Sequence, residues 1–471
     1  MFGVNTSLRL VGTQAGGMRY GLAALGLAGI LLQAQVRQID PAAIERVALD
    51  ELQATKTPGA AVAVISGDRV VFSHGYGVSS VDTGAAVSPD MLFRLGSTTK
   101  MFTAAAVVGL AVEGKIDLQA PISRYISGLD ETIGKLTANQ LLSHTSGIRD
   151  EAPMFGSHDE VALGNGIHAW KADFLFAPPG RIYSYSNPGF WLAGYLAETV
   201  TGKAYADAIA DRIFKPLGMK RSTLRPTMAM TWPLAQGHEV KDGKPSVIRP
   251  AADNAASWPA GSIFSSALDL SRFVIAFMND GRVEDNQVLS PKAIALMSAP
   301  HAREPGSETS YGYGLSLATT RGMRWVEHGG SRAGYGSTIR MAPERKFAVI
   351  IVANRTGNGM PKLADAISEE MLPLEPESRR EAPTHALDAA ELRRYAGVYR
   401  NGENTISLDA DGNALLERIG DTKTRLTRAG EGFLLGEVNG QGWPPRLVVE
   451  PGSSGRIDFV FTGGRSFRRV D

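Results

Sequence analysis

Apolar and polar positions recur along the first part of the chain with spacings that predict discrete helices and strands. Residues 41–56 repeat apolar side chains at helical spacing, which predicts an amphipathic helix. Two short β-prone runs, 60–65 and 69–72, flank a Ser-Gly-Asp turn and predict a hairpin. Residues 101–112 are almost wholly apolar or small, so we expect a helix that is buried on most sides.

Strand patterns return late in the sequence. Residues 325–328, 336–341 and 347–353 read as strands, and residues 360–372 read as a closing helix, whereas 141–298 mixes short helical patterns with many turns. We therefore expect an α+β fold in which an antiparallel sheet, whose first and last strands pair, is flanked by helices and carries a helical subdomain.

The C-terminal part has a different pattern. Residues 373–384 combine prolines with clustered charges, which is typical of a linker between domains. From 385 to 471, short apolar runs alternate with the turn pairs Asp411-Gly412, Asn439-Gly440 and Gly463-Gly464. This pattern predicts a small all-β domain, either an antiparallel sheet or a barrel.

Residues 1–34 have the layout of an export signal. The apolar run Gly21–Leu32 follows basic residues and precedes the small residue Ala34, and Met18 is a plausible true start. The run is too short to span about 30 Å of hydrocarbon, so a permanent membrane anchor or a buried helix is the weaker alternative. We expect the protein to be exported to the periplasm or secreted.

Composition excludes several kinds of chemistry. The formal net charge of +1 does not favour a nucleic-acid partner. The absence of cysteine excludes disulfides, thiolate metal sites and a cysteine nucleophile. The histidines lack metal-binding spacing and no phosphate-binding loop is complete, so we expect neither a metal nor a cofactor.

The first candidate for chemistry is the sequence Ser97-Thr98-Thr99-Lys100 at the start of the predicted apolar helix. Helical spacing brings the side chains of Ser97 and Lys100 to one face, and the helix N-terminus favours developing negative charge. A desolvated Lys100 with a lowered pKa could accept the serine proton. A Ser-x-x-Lys sequence alone is weak, because roughly one is expected by chance in a chain of this composition.

Two further motifs strengthen the candidate. Tyr185-Ser186-Asn187 is a Tyr-x-Asn sequence and His328-Gly329-Gly330 is a His-x-Gly sequence, each of which also has an ordinary reading as a core or turn segment. All three motifs in this order are expected only about 0.05 times by chance. The set is therefore informative although its members are not.

With these motifs the chain resembles the serine β-lactamase and penicillin-binding-protein superfamily, in particular its class C β-lactamase-like branch. The flanking sequences Leu141–Gly147, Pro178–Gly180 and Pro259–Phe273 agree with that family. The resemblance covers residues 39–372, and residues 385–471 are similar to the lipocalin-like β-domains appended to some members.

The resemblance implies a role for each matching residue. Ser97 would be the acyl-accepting nucleophile, Lys100 its activator and Tyr185 the proton shuttle to the leaving group. Asn187 would bind the substrate, and the backbone N–H groups of Ser97 and Ser331 would form the oxyanion hole.

The strand motif departs from the Lys-Thr-Gly of the β-lactamases. The resemblance assigns substrate binding to His328, Gly330 and Ser331, but a histidine with an ordinary pKa near 6.5 is mostly neutral at neutral pH. Recognition of a penicillin-type carboxylate is therefore not implied. Arg332 or Arg340 could compensate, although an arginine on a strand is more often simply solvated.

The leading hypothesis is an exported, cofactor-free serine hydrolase that forms an acyl-enzyme on Ser97 and hydrolyses a small ester, amide or peptide. The His-x-Gly motif favours an esterase or a D-amino-acid-directed peptidase. A β-lactamase or DD-peptidase is the alternative, and a non-catalytic protein that binds cell-wall peptides or lipids is a further one. The C-terminal domain would be a stabilising appendage or a wall of the active site, and the sequence does not indicate the oligomeric state.

Overall fold

The structure is a computed structural model. It describes residues 39–377, 385–430, 432–436, 446–451 and 457–471. The predicted export segment, the turn Asn439-Gly440 and residues 378–384 of the predicted linker lie outside the described residues. Within the described ranges, no helix is both long and apolar enough to cross a bilayer.

Strands form two large sheets and three two-stranded ribbons. The strands are β1 (Gly59–Ser66), β2 (Arg69–Gly77), β3 (Phe93–Arg94), β4 (His238–Lys241), β5 (Lys244–Val247), β6 (Phe264–Ser265), β7 (Arg282–Val283), β8 (Asn286–Gln287), β9 (Ala302–Arg303), β10 (Ser310–Tyr311), β11 (Ser316–Thr320), β12 (Met323–Arg332), β13 (Tyr335–Ala342), β14 (Phe347–Ala353), β15 (Gly397–Asn401), β16 (Asn404–Asp411), β17 (Ala414–Ile419), β18 (Thr422–Gly430), β19 (Phe433–Gly436), β20 (Arg446–Pro451), β21 (Ile457–Thr462) and β22 (Arg465–Arg469).

Most helices lie between β2 and β9 in the chain. The α-helices are α1 (Pro41–Thr55), α2 (Thr99–Val112), α3 (Glu131–Gly134), α4 (Ala138–Leu142), α5 (Ala162–His168), α6 (Asn187–Thr201), α7 (Tyr205–Ile209), α8 (Lys215–Leu217), α9 (Pro226–Ala229), α10 (Trp258–Gly261), α11 (Ala267–Met278), α12 (Pro291–Met297), α13 (Pro361–Met371) and α14 (Ala389–Tyr395).

The main sheet is antiparallel, with the strand order β2-β1-β14-β13-β12-β11-β10-β9. The first strand of the sheet, β1, pairs with the last, β14, so that Val62 lies opposite Ile351. This confirms the expected closure of the sheet. Strand β2 runs on to Gly77, beyond the predicted end at Phe72, because the edge strand continues through residues 73–77, which include two glycines and an exposed histidine and so carry no apolar pattern.

Helices cover both faces of the central strands. Helices α1 and α13 pack on one face, where Ile44 and Ile367 belong to one apolar cluster with Val62 and Ile351. Helix α2 and the helical subdomain cover the other face, so β1 and β14 are buried almost completely. Helix α2 is buried on nearly all sides as predicted, and it begins at Thr99, two residues before the predicted start.

The C-terminal domain is a closed antiparallel barrel of eight strands, β15 to β22, in which β15 pairs with β22. Its interior is filled by apolar side chains, including Tyr399, Ile406, Leu408, Leu415, Leu426 and Val460. An α+β catalytic-type domain with a small all-β C-terminal domain confirms the expected fold class. Helix α14 was not predicted, although Asp388 and Glu391 form a capping box at its start.

One acidic side chain is buried in the barrel. Glu417 on β17 is 4% exposed, and its Oε1 has no hydrogen-bond partner within the described residues. Burial raises the pKa of Glu417 from 4.5 to about 7. The folded state therefore binds this proton more tightly than the unfolded state, so stability is lost as the pH rises from about 4.5 to about 7.

We expect Glu417→Gln to abolish the fall in stability that the ionisation of Glu417 causes as the pH rises. The free energy of unfolding of the variant should exceed that of the wild type by up to about 3 kcal/mol at about pH 8, and the difference should shrink toward about pH 5. Denaturant unfolding at both pH values measures it, with the exposed Glu403→Gln as control. An equal difference at both pH values would contradict the assignment.

Candidate active site

Ser97 lies in a 3-10 turn, Gly96–Thr98, that leads directly into helix α2. The helix start is held in place because the Ile263 N–H donates to the Thr99 hydroxyl. One turn further, the Lys100 Nζ donates to the Ser97 Oγ at 3.3 Å. The structure thus brings together the serine and lysine that helical spacing placed on one face.

Lys100 is fully buried. Its ammonium donates to the side-chain oxygen of Asn187 at 2.7 Å and to the carbonyl of Ala260 at 2.9 Å, and it lies 4.7 Å from the centre of the Tyr185 ring. No carboxylate of the described residues forms an ion pair with it. Burial holds the pKa of Lys100 well below its usual range, which favours the neutral amine.

Two glycines allow β12 to approach the Ser97 turn. Gly96 has a φ of +60°, and a Cβ on it would lie 2.6 Å from the Ser331 nitrogen. A Cβ on Gly330 would lie 1.9 Å from the Leu95 carbonyl oxygen. A side chain at either position would force the strand away, so the glycines set the close spacing between Ser97 and Ser331.

Tyr185 and Asn187 sit at the start of α6, which Ser186 caps by accepting a hydrogen bond from the Gly189 N–H. The hydroxyls of Tyr185 and Ser97 are hydrogen-bonded. Burial raises the pKa of Tyr185 above its usual range, so its phenol keeps its proton. His144 contacts this segment, because its Nδ1 accepts from the Ser186 N–H and its ring centre lies 4.2 Å from that of Tyr185, with the two rings tilted by 36°.

His328 is buried, and both of its ring nitrogens are hydrogen-bonded within the protein. Its Nδ1 donates to the Gly329 carbonyl and its Nε2 accepts from the Tyr311 hydroxyl at 2.9 Å. Burial, reinforced by the charge of Lys100, lowers the pKa of His328 to about 3, so the ring is neutral. Its assigned role in substrate binding stays a prediction, and the geometry shows it bonded within the protein.

Sequence reasoning missed two charged residues of this site. The Asp150 carboxylate accepts from the backbone N–H of Asn187 at 2.7 Å, from the Asn187 side chain at 3.0 Å and from the Arg465 Nε at 2.6 Å. Arg465 belongs to β22 of the barrel, and its guanidinium lies 5.3 Å from the centre of the Tyr185 ring. No motif or spacing marks either residue, because their contact spans 315 positions of the chain.

The barrel also holds the Tyr-x-Asn segment through neutral hydrogen bonds. The Tyr185 N–H donates to the Gly464 carbonyl at 3.0 Å. Ser466 donates from its backbone to the Ser184 hydroxyl and from its side chain to the Tyr183 carbonyl, and the Asn401 side chain donates to the Ser184 hydroxyl. The last hairpin of the barrel is thus part of the site.

A small cavity of about 140 Å³ opens beside Ser97. Its walls come from the helix starts, the loop after Asp150 and the end of β12. They comprise Ser97, Ala152, Pro153, Met154, Asn187, Trp191, Ser257, Ala260, Gly261, Ser331 and Arg332.

This fold and the pairing of a serine with a buried lysine are those of a serine hydrolase. The family model described as Beta-lactamase matches residues 44–370, and the chain belongs to that family. Its members include penicillin-binding proteins and serine hydrolases that cleave amides.

Curated relatives agree with this assignment. Protein flp of Staphylococcus aureus (strain MW2) is 27% identical over 70% of this chain, which spans 66% of the length of that relative. Penicillin-binding protein 4 of Amycolatopsis lactamdurans is 29% identical over 63% of this chain and 81% of its own.

Solved structures show the same fold. The crystal structure of SurE has a TM-score of 0.75 at 23% identity and covers 91% of this chain and 99% of its own, so the likeness includes the barrel. D-amino acid amidase from Ochrobactrum anthropi SV3, complexed with L-phenylalanine, has a TM-score of 0.59 at 24% identity over 70% of this chain and 96% of its own.

We expect Arg465→Ala to raise the pKa of Lys100. The substitution removes a positive charge near Lys100 and leaves the Asp150 carboxylate without its arginine partner. Both changes favour the protonated form of Lys100. The pH dependence of Ser97 acylation by a fluorophosphonate should therefore move to higher pH. Arg418→Ala, which removes an exposed barrel arginine paired with Asp409, is the matched control. A curve that does not move would contradict this coupling.

Proposed function

We propose that the protein hydrolyses an ester or amide through an acyl-enzyme on Ser97, as an esterase or a D-amino-acid-directed peptidase. The observation that carries the proposal is the buried Lys100 amine at 3.3 Å from the Ser97 hydroxyl. Burial holds the pKa of Lys100 well below its usual range, which makes its amine available as a base, and a serine hydroxyl needs such a base to become a nucleophile.

The raised pKa of Tyr185 assigns the order of proton transfers. Lys100 takes the Ser97 proton while the Oγ attacks the substrate carbonyl carbon. Because Tyr185 starts as a neutral phenol, it gives its proton to the leaving group and regains one from the Lys100 ammonium. The leaving group departs protonated and Ser97 carries the acyl ester, which water then hydrolyses.

Backbone geometry supports an oxyanion hole in this reaction. Gly96 and Gly330 permit the close approach of the Ser97 turn and β12, and Ser97 and Ser331 both line the cavity, which supports their backbone N–H groups as the oxyanion donors. Such donors are typically worth about 3 to 4 kcal/mol of barrier each. Asn187, held by Asp150, would orient the substrate.

The neutral His328 separates this proposal from the β-lactamase alternative. His328 supplies no fixed positive charge, and Arg340 is engaged by Glu327 and Asp365 at 2.8 and 2.6 Å. Of the two arginines that could compensate, Arg332 remains, on the wall of the Ser97 cavity. An amidase acting on D-amino acids among the structural neighbours supports an amide substrate of that kind. Activity toward penicillins is kept as the second candidate because a relative is a penicillin-binding protein.

Intact-mass spectrometry tests the mechanism. Incubation with a fluorophosphonate should add one adduct to Ser97, and an activated short-chain ester should turn over without a lasting penicillin adduct. Ser97→Ala should abolish labelling and turnover. A stable penicilloyl adduct would favour a penicillin-binding role, rapid penicillin hydrolysis a β-lactamase, and no adduct with any reagent a binding protein.

Lys100→Met should lower the rate of Ser97 acylation by at least about 100-fold near neutral pH, because the general base is lost. In the wild type, acylation should rise as the pH increases through the lowered pKa of Lys100 and reach a plateau above it. Stopped-flow labelling measures both effects, with the exposed Lys115→Met as control. Undiminished acylation in Lys100→Met would sink the assignment of the base.

Export to the periplasm or the medium is part of the same proposal, and it rests on the apolar run Gly21–Leu32. We expect cleavage close to Ala34. N-terminal sequencing of the mature protein checks this, and a chain that still begins at Met1 or Met18 would rule out a cleaved signal.

A further inference from the structure

One arginine on the wall of the Ser97 cavity has unused hydrogen-bonding capacity. Arg332 ends β12 directly after Ser331 and lines the cavity with Ser97 and Gly261. Its Nε and Nη2 atoms are buried without a hydrogen-bond partner within the described ranges, and its Nη1 atom, which is not fully buried, forms no hydrogen bond there either. Leaving buried donors unpaired is unfavourable, and more so for a charged group, so the site is incomplete as it stands.

The neighbouring acid does not satisfy Arg332. The two oxygens of Asp253 accept from Arg94 at 2.6 Å, from the Trp258 ring N–H at 3.2 Å and from His158 at 2.9 Å. Arg94 already balances the negative charge of Asp253, so the positive charge of Arg332 has no carboxylate partner within the described residues. Burial and the nearby Arg94 lower the pKa of Arg332 to about 9, so it remains a cation at neutral pH.

Other cations near the site are already engaged. Arg465 pairs with Asp150, Arg340 pairs with Glu327 and Asp365, and Lys100 is the proposed base for Ser97. Of the cations named at this site, Arg332 is therefore the one that offers free donors to a ligand in the cavity. A planar guanidinium also matches the two oxygens of a carboxylate.

The position of Arg332 indicates which part of a substrate it meets. It follows Ser331, whose N–H would donate to the carbonyl under attack in the proposed mechanism, and it lines the cavity together with Ser97 and Asn187. Tyr185, which would protonate the leaving group, lies outside the residues that line this cavity. The cavity is thus on the acyl side of the reacting bond.

We propose that Arg332 binds a carboxylate on the acyl portion of the substrate, so that the protein prefers short acyl groups bearing an anionic end. This inference rests on the proposed acyl transfer to Ser97 and adds its substrate class. The carboxylate would take the unpaired donors of Arg332 and neutralise the charge that Asp253 leaves over.

Two matched pairs of esters test the proposal at neutral pH. The first pair shares its leaving group and acyl length, 4-nitrophenyl hydrogen glutarate against 4-nitrophenyl valerate. The second pair shares its acyl group, 4-carboxyphenyl valerate against 4-acetylphenyl valerate. We expect the wild type to favour glutarate over valerate in kcat/KM, and Arg332→Gln to reduce that ratio by about tenfold or more.

Arg324→Gln is the matched control, because Arg324 lies on the same strand and donates to the Ser298 carbonyl outside the cavity. It should keep the wild-type ratio. Arg332→Lys, which keeps the positive charge, should retain part of the preference for glutarate. If Arg332→Gln does not fold, the proposal is tested with Arg332→Lys instead.

Three results would overturn the proposal. The first is a wild type that does not favour glutarate, and the second is an Arg332→Gln ratio equal to that of the wild type. The third is a preference for the carboxyphenyl ester that Arg332→Gln removes, which would put the anion on the leaving group. Failure of acyl transfer itself is recognised separately, because neither valerate ester would then turn over and a fluorophosphonate would not label Ser97.

Discussion

The site depends on the burial of one lysine ammonium without a carboxylate beside it. Burial strips water from Lys100 and replaces it with three oxygen acceptors, those of Ser97, Asn187 and Ala260. Neutral acceptors compensate the cation less well than a carboxylate would, so the amine form is favoured and becomes a base. Through these hydrogen bonds Lys100 connects helix α2 with the start of α6 and with α10.

The last β-hairpin of the barrel contacts the segment that carries Tyr185 and Asn187. Gly464 and Ser466 hold the backbone around Tyr185, while Arg465 neutralises Asp150, which in turn fixes Asn187. Without Arg465, the Asp150 charge would act on Lys100 with less opposition and favour its protonated form. The C-terminal domain therefore contacts the Tyr-x-Asn segment directly, although none of its described residues lines the cavity beside Ser97.

Local patterns made much of the fold predictable. Helix α2 has an apolar composition that suits burial on all sides, and β1 and β14 are apolar runs long enough for the centre of a sheet. The pairing of Ser97 with Lys100 follows from helical spacing alone. In contrast, helix α14 is short and mostly polar, and the end of β2 lies at a sheet edge, so neither carried an apolar signal.

The sequence by itself determined the two-domain α+β architecture and the three motifs, because periodicity and i, i+3 spacing act over a few residues. Only the tertiary structure decided that Asp150 and Arg465 meet at Asn187, that His328 is bonded to Tyr311, and that Arg332 is left with unpaired donors. These outcomes depend on desolvation and on contacts between distant segments. Such effects are set by the packed chain, and no local pattern of residues records them.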